Sequence, residues 1–179
     1  MSTTALLIID VQQALIDEGP ADPDAFLGRV STLLAEARAT GVPVVYIQHD
    51  GPSGDALTPG EPGWAIHPAV RPLAGETVFR KRYNSAFLGT PLLGWLQVRG
   101  ITRLVIVGMQ TENCMDASIK SAFEHGFKVV VPEGAHTTCA NGELTAPQIR
   151  EFYQERIWRG GYATVASLEE HGAAWFFCA

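Results

Sequence analysis

Short runs of apolar residues recur along the chain and predict buried β-strands. The runs are rich in valine and isoleucine and do not alternate with polar residues, as expected of strands covered on both faces of a parallel sheet. Between them, apolar positions recur at helical spacing, most clearly in residues 24–40, which Gly41 follows as a helix-ending glycine. The predicted strands span residues 5–9, 42–47, 77–79, 104–107, 127–131 and 163–166, and the predicted helices span residues 24–40, 91–98, 112–124 and 147–158.

This alternation predicts one α/β domain over residues 1–179. Strands joined through helices by short links form a parallel sheet with right-handed crossovers, and the helices cover its faces. A chain of 179 residues suits a single domain with one sizeable core. Residues 50–72 interrupt the pattern with a long, proline-rich loop, and loops of this length usually have a function, such as a lid or a subunit contact.

Charge and cysteine content narrow the class of protein. The net charge of −6 argues against a nucleic-acid partner, which requires a basic surface. No apolar run approaches the roughly 20 residues of a membrane span, and Asp10 interrupts the N-terminal run, which also lacks the basic start of a signal peptide. Three cysteines, Cys114, Cys139 and Cys178, are too few and odd in number for a disulfide framework. These features predict a cytoplasmic protein with reduced thiols and without a membrane partner.

Polar side chains follow four predicted strands at the edge where open parallel sheets bind ligands. Asp10 ends the first strand, and His49 and Asp50 follow the second. Lys81 follows the third strand, and Cys114 comes shortly after the fourth. The pattern therefore brings an acid, bases and a thiol to one edge, although sequence spacing alone does not show that they meet.

Each of these residues also has a structural explanation when it is considered alone. Asp10 could cap a neighbouring turn, and Lys81 belongs to a charged triplet of the kind found on solvated surfaces. A lone cysteine is more often a small buried residue than a nucleophile. Cys114, however, lies in the first turn of a predicted helix, where the positive end of the helix dipole favours the thiolate.

Three segments together resemble a known family. In chain order they are LLIIDVQQAL, KRYNSAFLGTPLLGWL and LVIVGMQTENCMDASIKSAFEHGFKVVV. They resemble the signature segments of the isochorismatase-like cysteine hydrolases, which are related to the nicotinamidases. The family pattern has an Asp at the end of the first strand, a Lys shortly before Ser-Ala-Phe, and Gly-x-x-Thr-x-x-Cys opening a helix; here the three residues are Asp10, Lys81 and Cys114. The resemblance implies a three-layer Rossmann-like α/β fold with a six-stranded, mainly parallel sheet flanked by helices.

The resemblance also implies hydrolysis of an amide C–N bond in a small linear or cyclic molecule. Asp10 would accept the Cys114 proton, Lys81 would hold carboxylate and thiolate in place and lower the thiol pKa, and Cys114 would form a thioester that water hydrolyses. A cis peptide bond between Met109 and Gln110 would help to form an oxyanion hole, with the backbone N–H groups of Gln110 and Cys114 as donors. Relatives are commonly homodimers or homotetramers, and the apolar C-terminal AAWFFCA could dock on the domain or at a subunit interface.

The loop after the second strand departs from the metal-binding pattern of the nicotinamidases. His49 and Asp50 could be ligands, but the further histidines of that ligand set have no counterpart, so we expect no metal and no other cofactor. We expect Gln12, His49, Trp64 and Tyr83 to line the substrate pocket. For the two aromatic residues, packing within the loops is an equally good explanation.

Two other functions stay open at this point. One is isochorismatase-type hydrolysis of a vinyl ether, and the other is a non-catalytic binding or assembly domain with the same fold. Family members with the first activity tend to lack the cysteine, because their chemistry needs a proton donor and no thiol, so Cys114 disfavours it. The presence of all three catalytic residue types disfavours the second.

Overall fold

A seven-stranded parallel sheet forms the centre of the computed structural model, which describes residues 3–167. The strands are β1 (Thr4–Ile9), β2 (Val44–His49), β3 (Thr77–Lys81), β4 (Arg103–Met109), β5 (Lys128–Pro132), β6 (His136–Thr137) and β7 (Thr164–Ala166). The helices are α1 (Gln13–Asp17), α2 (Pro23–Thr40), α3 (Leu92–Val98), α4 (Asp116–Glu124) and α5 (Ala146–Phe152). All six predicted strands are present with ends that differ by at most two residues, and the predicted α/β fold is confirmed.

The strand order determines which loops are neighbours. It is β3-β2-β1-β4-β5-β7, with the two-residue β6 paired to the end of β4, and the described strand pairs are parallel. The carboxyl ends of β1 to β4 therefore lie side by side. These are the four strands that lead into the candidate catalytic residues.

Two apolar cores, one on each face of the sheet, hold the strands in place. In β1 the side chains of Ala5, Leu7 and Ile9 enter the core beneath α3 and α4. Leu6 and Ile8 enter the opposite core, beneath α2. Every residue of β1 is buried, and burying a large aliphatic side chain contributes roughly 1.5–3 kcal/mol. This two-sided burial explains why the strands show continuous apolar runs without alternation.

The structure differs from the predicted elements mainly where an element is short. The helix predicted at 112–124 begins as a π-helical turn, Thr111–Met115, and continues as α4; the helix predicted at 147–158 is α5 followed by a second π-helical turn, Tyr153–Trp158. The five-residue α1 and the two-residue β6 were not predicted. Such short elements depend on tertiary contacts, because helices of this length are unstable alone.

The long loop at 50–72 contains two 3₁₀ turns, Pro62–Trp64 and Pro68–Val70. None of the helices in residues 3–167 combines the length and apolar composition of a membrane span. Cys178 and the C-terminal AAWFFCA lie outside the described residues.

Candidate active site

The Lys81 ammonium lies at the centre of the candidate site. Its Nζ is 2.6 Å from Asp10 Oδ2, 3.1 Å from Cys114 Sγ and 3.2 Å from His49 Nδ1. The Lys81 side chain is fully buried, so the three N–H donors of the ammonium face three protein atoms and no solvent. The fold thus brings the three residues predicted to be catalytic into contact, with His49 as a fourth member.

Asp10 reaches this centre because the chain turns sharply at the end of β1. Its φ of +51° is in the left-handed region, which non-glycine residues adopt rarely and Asp more readily than most. The Asp10 N–H still donates to Ile47 O of β2, which holds the turn against the sheet. The carboxylate is buried, and its ion pair within residues 3–167 is the one with Lys81.

Cys114 lies in the π-helical turn Thr111–Met115 that follows β4. The Met109–Gln110 peptide bond, at the start of this turn, is cis. Gln110 O accepts hydrogen bonds from the backbone N–H groups of both Asn113 and Met115, and the second of these bonds has π-helical spacing. The cysteine therefore precedes α4 and does not belong to its first turn.

A buried histidine, His136, holds this turn in place through hydrogen bonds. Thr111 Oγ1 lies 3.0 Å from His136 Nδ1, and His136 Nε2 lies 3.2 Å from Gln154 Oε1. Burial lowers the pKa of His136 to about 4, so the imidazole is neutral: Nε2–H donates to Gln154 and Nδ1 accepts from Thr111. Thr138 adds a 2.6 Å hydrogen bond to Glu112 Oε2. Sequence reasoning missed this anchor, for which the only signal is a polar His-Thr-Thr after an apolar strand.

Burial decides the protonation state of the thiol. Burial raises the pKa of Cys114 to about 12; the Asp10 carboxylate acts in the same direction, and Lys81 opposes both. Lys81 lowers the thiol pKa, as predicted, but burial and the Asp10 carboxylate outweigh its effect. The reason is that Asp10 already neutralises the Lys81 charge, so a thiolate would leave the buried site with a net negative charge.

Burial and the charge of Lys81 also shift the pKa values of Asp10 and His49. Burial raises the pKa of the Asp10 carboxyl, and the charge of Lys81 opposes the rise. Burial, followed by the charge of Lys81, lowers the pKa of His49. These shifts favour an un-ionised thiol and a neutral imidazole beside the Lys81–Asp10 ion pair.

Asp10, His49 and Cys114 offer ligand atoms that lie within 4.8 Å of one another. Those atoms already surround Lys81 Nζ, so a metal ion would have to displace a buried ammonium. The other candidate ligand, Asp50, accepts hydrogen bonds from Arg80 Nε and the indole N–H of Trp64, both at 2.9 Å. The donor atoms of Asp10, His49 and Cys114 therefore suit the Lys81 ammonium better than a resident metal ion.

Gln12, one of the predicted pocket residues, makes side-chain hydrogen bonds that connect segments of the fold. The residue is fully buried, and its amide bridges two main-chain segments. Oε1 accepts from His49 N at 2.7 Å, while Nε2 donates to His49 O at 3.0 Å and to Trp64 O at 2.8 Å. Gln12 therefore holds the end of β2 and the long loop to the end of β1.

The other pocket candidates lie at different places around the site. Trp64 is half-buried, and the Arg80 guanidinium lies 5.1 Å from its ring, so the indole of the loop packs against a side chain of β3. Tyr83 exposes 57% of its surface, and its role in a pocket stays a prediction. Asn84 was not predicted, yet its Oδ1 lies 3.9 Å from Cys114 Sγ. The signal for Asn84 was its position between Lys81 and the Ser-Ala-Phe motif.

Comparison with known proteins identifies the family of this chain. Residues 4–156 match the family model of the isochorismatase domain. Streptothricin hydrolase from Streptomyces noursei is 40% identical over 136 residues, which make up 75% of this chain and 49% of the relative, so the chain spans about half the length of that enzyme. Maleamate amidohydrolase from Pseudomonas putida is 34% identical over 146 residues, 71% of this chain and 68% of the relative.

A solved structure supports the same assignment over the whole fold. The crystal structure of an isochorismatase-family hydrolase from Chromobacterium violaceum superposes with a TM-score of 0.89 at 32% sequence identity, and the match covers 97% of this chain and 94% of the other. With a family model that matches most of its length, the chain belongs to the isochorismatase family of hydrolases.

Proposed function

We propose that this protein hydrolyses an amide C–N bond of a small molecule through a thioester on Cys114. One observation carries the proposal: the buried Lys81 ammonium contacts both the Asp10 carboxylate, at 2.6 Å, and the Cys114 sulfur, at 3.1 Å. A base, a cation and a nucleophile within mutual reach are the parts that nucleophilic catalysis needs.

In the first half of the reaction, Asp10 takes the proton of the Cys114 thiol while Sγ forms a bond to the carbonyl carbon. The transfer occurs in step with attack, because the raised thiol pKa disfavours a free thiolate at rest. The C–N bond of the tetrahedral intermediate then breaks, and Asp10 returns the proton to the leaving nitrogen. The amine departs, and a thioester remains on Cys114.

In the second half, water attacks the thioester carbonyl carbon. Asp10 accepts a proton from the water as the C–O bond forms and delivers it to the Cys114 sulfur as the C–S bond breaks. The products are a carboxylic acid and an amine, and the thiol is restored. The backbone N–H groups of Gln110 and Cys114 are our proposed oxyanion donors in both halves, and each such donor can contribute about 3–4 kcal/mol.

The relatives support an amide more than a vinyl ether as substrate. One of them is named an amidohydrolase that acts on maleamate. Vinyl-ether hydrolysis requires a proton donor and water but no nucleophile from the protein, and it would leave the contact between Lys81 and Cys114 without a role. A purely structural domain would likewise have no use for a thiol beside a buried ion pair.

A release screen tests the proposal. Amine or ammonia release is measured over a panel of small linear and cyclic amides with the wild type, Cys114→Ala and Cys139→Ala. The Cys114 variant should lose at least about a thousandfold in kcat/KM, because the thioester cannot form. Cys139, a partly buried cysteine outside the site, serves as the matched control and should retain full activity.

The covalent intermediate gives a second measurement in the same experiment. Rapid acid quenching during turnover, followed by mass analysis, should place the acyl group on the peptide that contains Cys114. Wild-type activity in Cys114→Ala would contradict the proposal.

A further inference from the structure

His49 holds one of the three N–H groups of the Lys81 ammonium. A lysine ammonium only donates, so the nitrogen that faces it at 3.2 Å, His49 Nδ1, must be the unprotonated acceptor of the imidazole. The imidazole proton is therefore on Nε2. The ammonium also forms an ion pair with Asp10 and donates a hydrogen bond to Cys114 Sγ.

The main chain of His49 is fixed independently of this contact. The buried Gln12 amide bonds both the N–H and the C=O of His49, at 2.7 Å and 3.0 Å. In the sheet register, His49 of β2 lies beside Lys81 of β3. A rigid backbone thus presents Nδ1 to the ammonium.

The two reactive neighbours of Lys81 change during the proposed reaction, whereas His49 does not. Asp10 loses its negative charge when it takes the thiol proton, and the sulfur becomes a poor acceptor once it is part of a thioester. Only the imidazole nitrogen presents an unchanged acceptor at every stage. We infer that His49 is the positioning residue that keeps the Lys81 ammonium between Asp10 and Cys114 throughout the cycle; the inference rests on the function proposed above.

The surrounding charges are consistent with a neutral His49. The charged groups that act on it are Lys81 of β3, Asp10 after β1, and Asp50 and Asp55 of the long loop. Burial and Lys81 lower its pKa, and the three carboxylates only partly oppose them. An imidazolium here would place a second cation beside the ammonium and remove the acceptor.

Three substitutions of His49 separate positioning from substrate contact. His49→Asn places an amide oxygen near the position of Nδ1, His49→Gln places it one carbon further out, and His49→Leu removes the acceptor. His125→Asn, which replaces an exposed histidine after α4, is the control. Each variant is characterised by kcat and KM, by thermal unfolding, and by the pH dependence of Cys114 alkylation with iodoacetamide, located by peptide mass.

In the leucine variant, kcat should fall by about 10- to 100-fold with KM changed less than about threefold, as expected for loss of one hydrogen bond to a charged group. The alkylation midpoint should move to higher pH, because a displaced Lys81 lowers the thiol pKa less. The asparagine variant should stay within about threefold of wild-type kcat and keep the wild-type midpoint. Glutamine should behave like leucine, and this comparison holds even if the leucine variant does not fold.

Three results would overturn the inference. The first is unchanged kcat and alkylation in all three variants. The second is a raised KM without any change in alkylation, which indicates substrate contact only. The third is stoichiometric zinc in the wild type that is lost from every His49 variant. Alkylation requires no amide substrate, so a failure of the proposed hydrolysis would leave the test of His49 intact.

Discussion

At the scale of single residues, Cys114 combines a partly buried side chain with surroundings that disfavour the ionised form of its thiol. Burial and the Asp10 charge raise its pKa to about 12, against the lowering effect of Lys81. In the proposed mechanism, Asp10 removes the thiol proton during attack, although its charge, together with burial, disfavours loss of that proton at rest. If the proposed mechanism holds, this arrangement should limit unproductive reactions of the thiol, because the thiolate would form only as a carbonyl carbon is attacked.

Asp10→Asn should therefore separate thiol ionisation from catalysis. Removal of the Asp10 charge leaves Lys81 free to stabilise the thiolate, so the midpoint of Cys114 alkylation by iodoacetamide should move to lower pH. Amide hydrolysis should nevertheless fall by at least about a thousandfold, since no base remains. The two measurements on the same variant should change in opposite directions; slower alkylation together with lost activity would contradict this account.

His136 shows how a single buried residue links elements of the fold. It connects the π-helical turn of Cys114 to Gln154 of the second π-helical turn. Its pKa of about 4 in the folded protein is lower than the value of about 6.5 in an unfolded chain. The unfolded state therefore binds the extra proton first, and stability that is complete above pH 6.5 is lost as the pH falls towards 4.

We expect this residue to lower the wild-type free energy of unfolding by about 2 kcal/mol between pH 8 and pH 5. His136→Asn should be less stable than the wild type at pH 8, because it alters the buried hydrogen bonds, but it should lack this component of the pH dependence. Urea denaturation of both proteins at the two pH values measures the difference, with His125→Asn as the control. Equal pH dependence in the wild type and His136→Asn would show that His136 is not the group responsible.

At the scale of elements, the end of β4 lies in close contact with the end of β1, just before the loops that carry the candidate catalytic residues. Gly108 pairs with Ile9 in the sheet register and has a φ of +135°. A Cβ at this position would overlap the Ile9 carbonyl. Only glycine combines this conformation with this contact, so Gly108 allows Asp10 and the cysteine turn to leave the sheet side by side.

Gly108→Ala should destabilise the protein by at least about 3 kcal/mol or prevent folding, because both the backbone angle and the contact exclude a methyl group. Gly28→Ala is the matched control: Gly28 is exposed within α2, and a Cβ there has no atom within 4 Å. That change should be neutral or stabilising by up to about 1 kcal/mol. Urea denaturation compares the two variants, and similar stabilities would contradict the interpretation.

At the scale of the whole molecule, the strand order creates the site. Because β3, β2, β1 and β4 are adjacent, one edge of the sheet collects side chains from chain positions 10, 49, 81 and 114. The net charge is −6, and no helix among residues 3–167 could span a membrane. The absence of nucleic-acid and membrane partners and the cytoplasmic location stay predictions.

We predict a homodimer or homotetramer, as the family resemblance implies. Apolar side chains such as Val98, 86% exposed, and Leu88, 56% exposed, provide surface that association would bury. Size-exclusion chromatography with light scattering should give about two or four times the 19.3 kDa of one chain. A mass of one chain at micromolar concentration would contradict the prediction.

The sequence alone determined the strands, the main helices and the family, because buried strands and amphipathic helices leave local patterns and because three motifs occur in a fixed order. It also named Asp10, Lys81 and Cys114 through those motifs. It could not predict α1 or β6, which form only against neighbours. Nor could it predict the role of Gln12, since nothing local distinguishes a pocket residue from a buried clamp.

The tertiary structure decided what depends on distance and burial. It placed Lys81 Nζ among Asp10, His49 and Cys114. It showed that the net shift of the thiol pKa is upward, because desolvation and the prior pairing of Lys81 outweigh one favourable charge. Residues far apart in the chain meet only after the sheet has formed. The motifs KRYNSAF and GMQTENC therefore identified the candidate catalytic residues, but the pKa shifts of those residues depend on the folded structure.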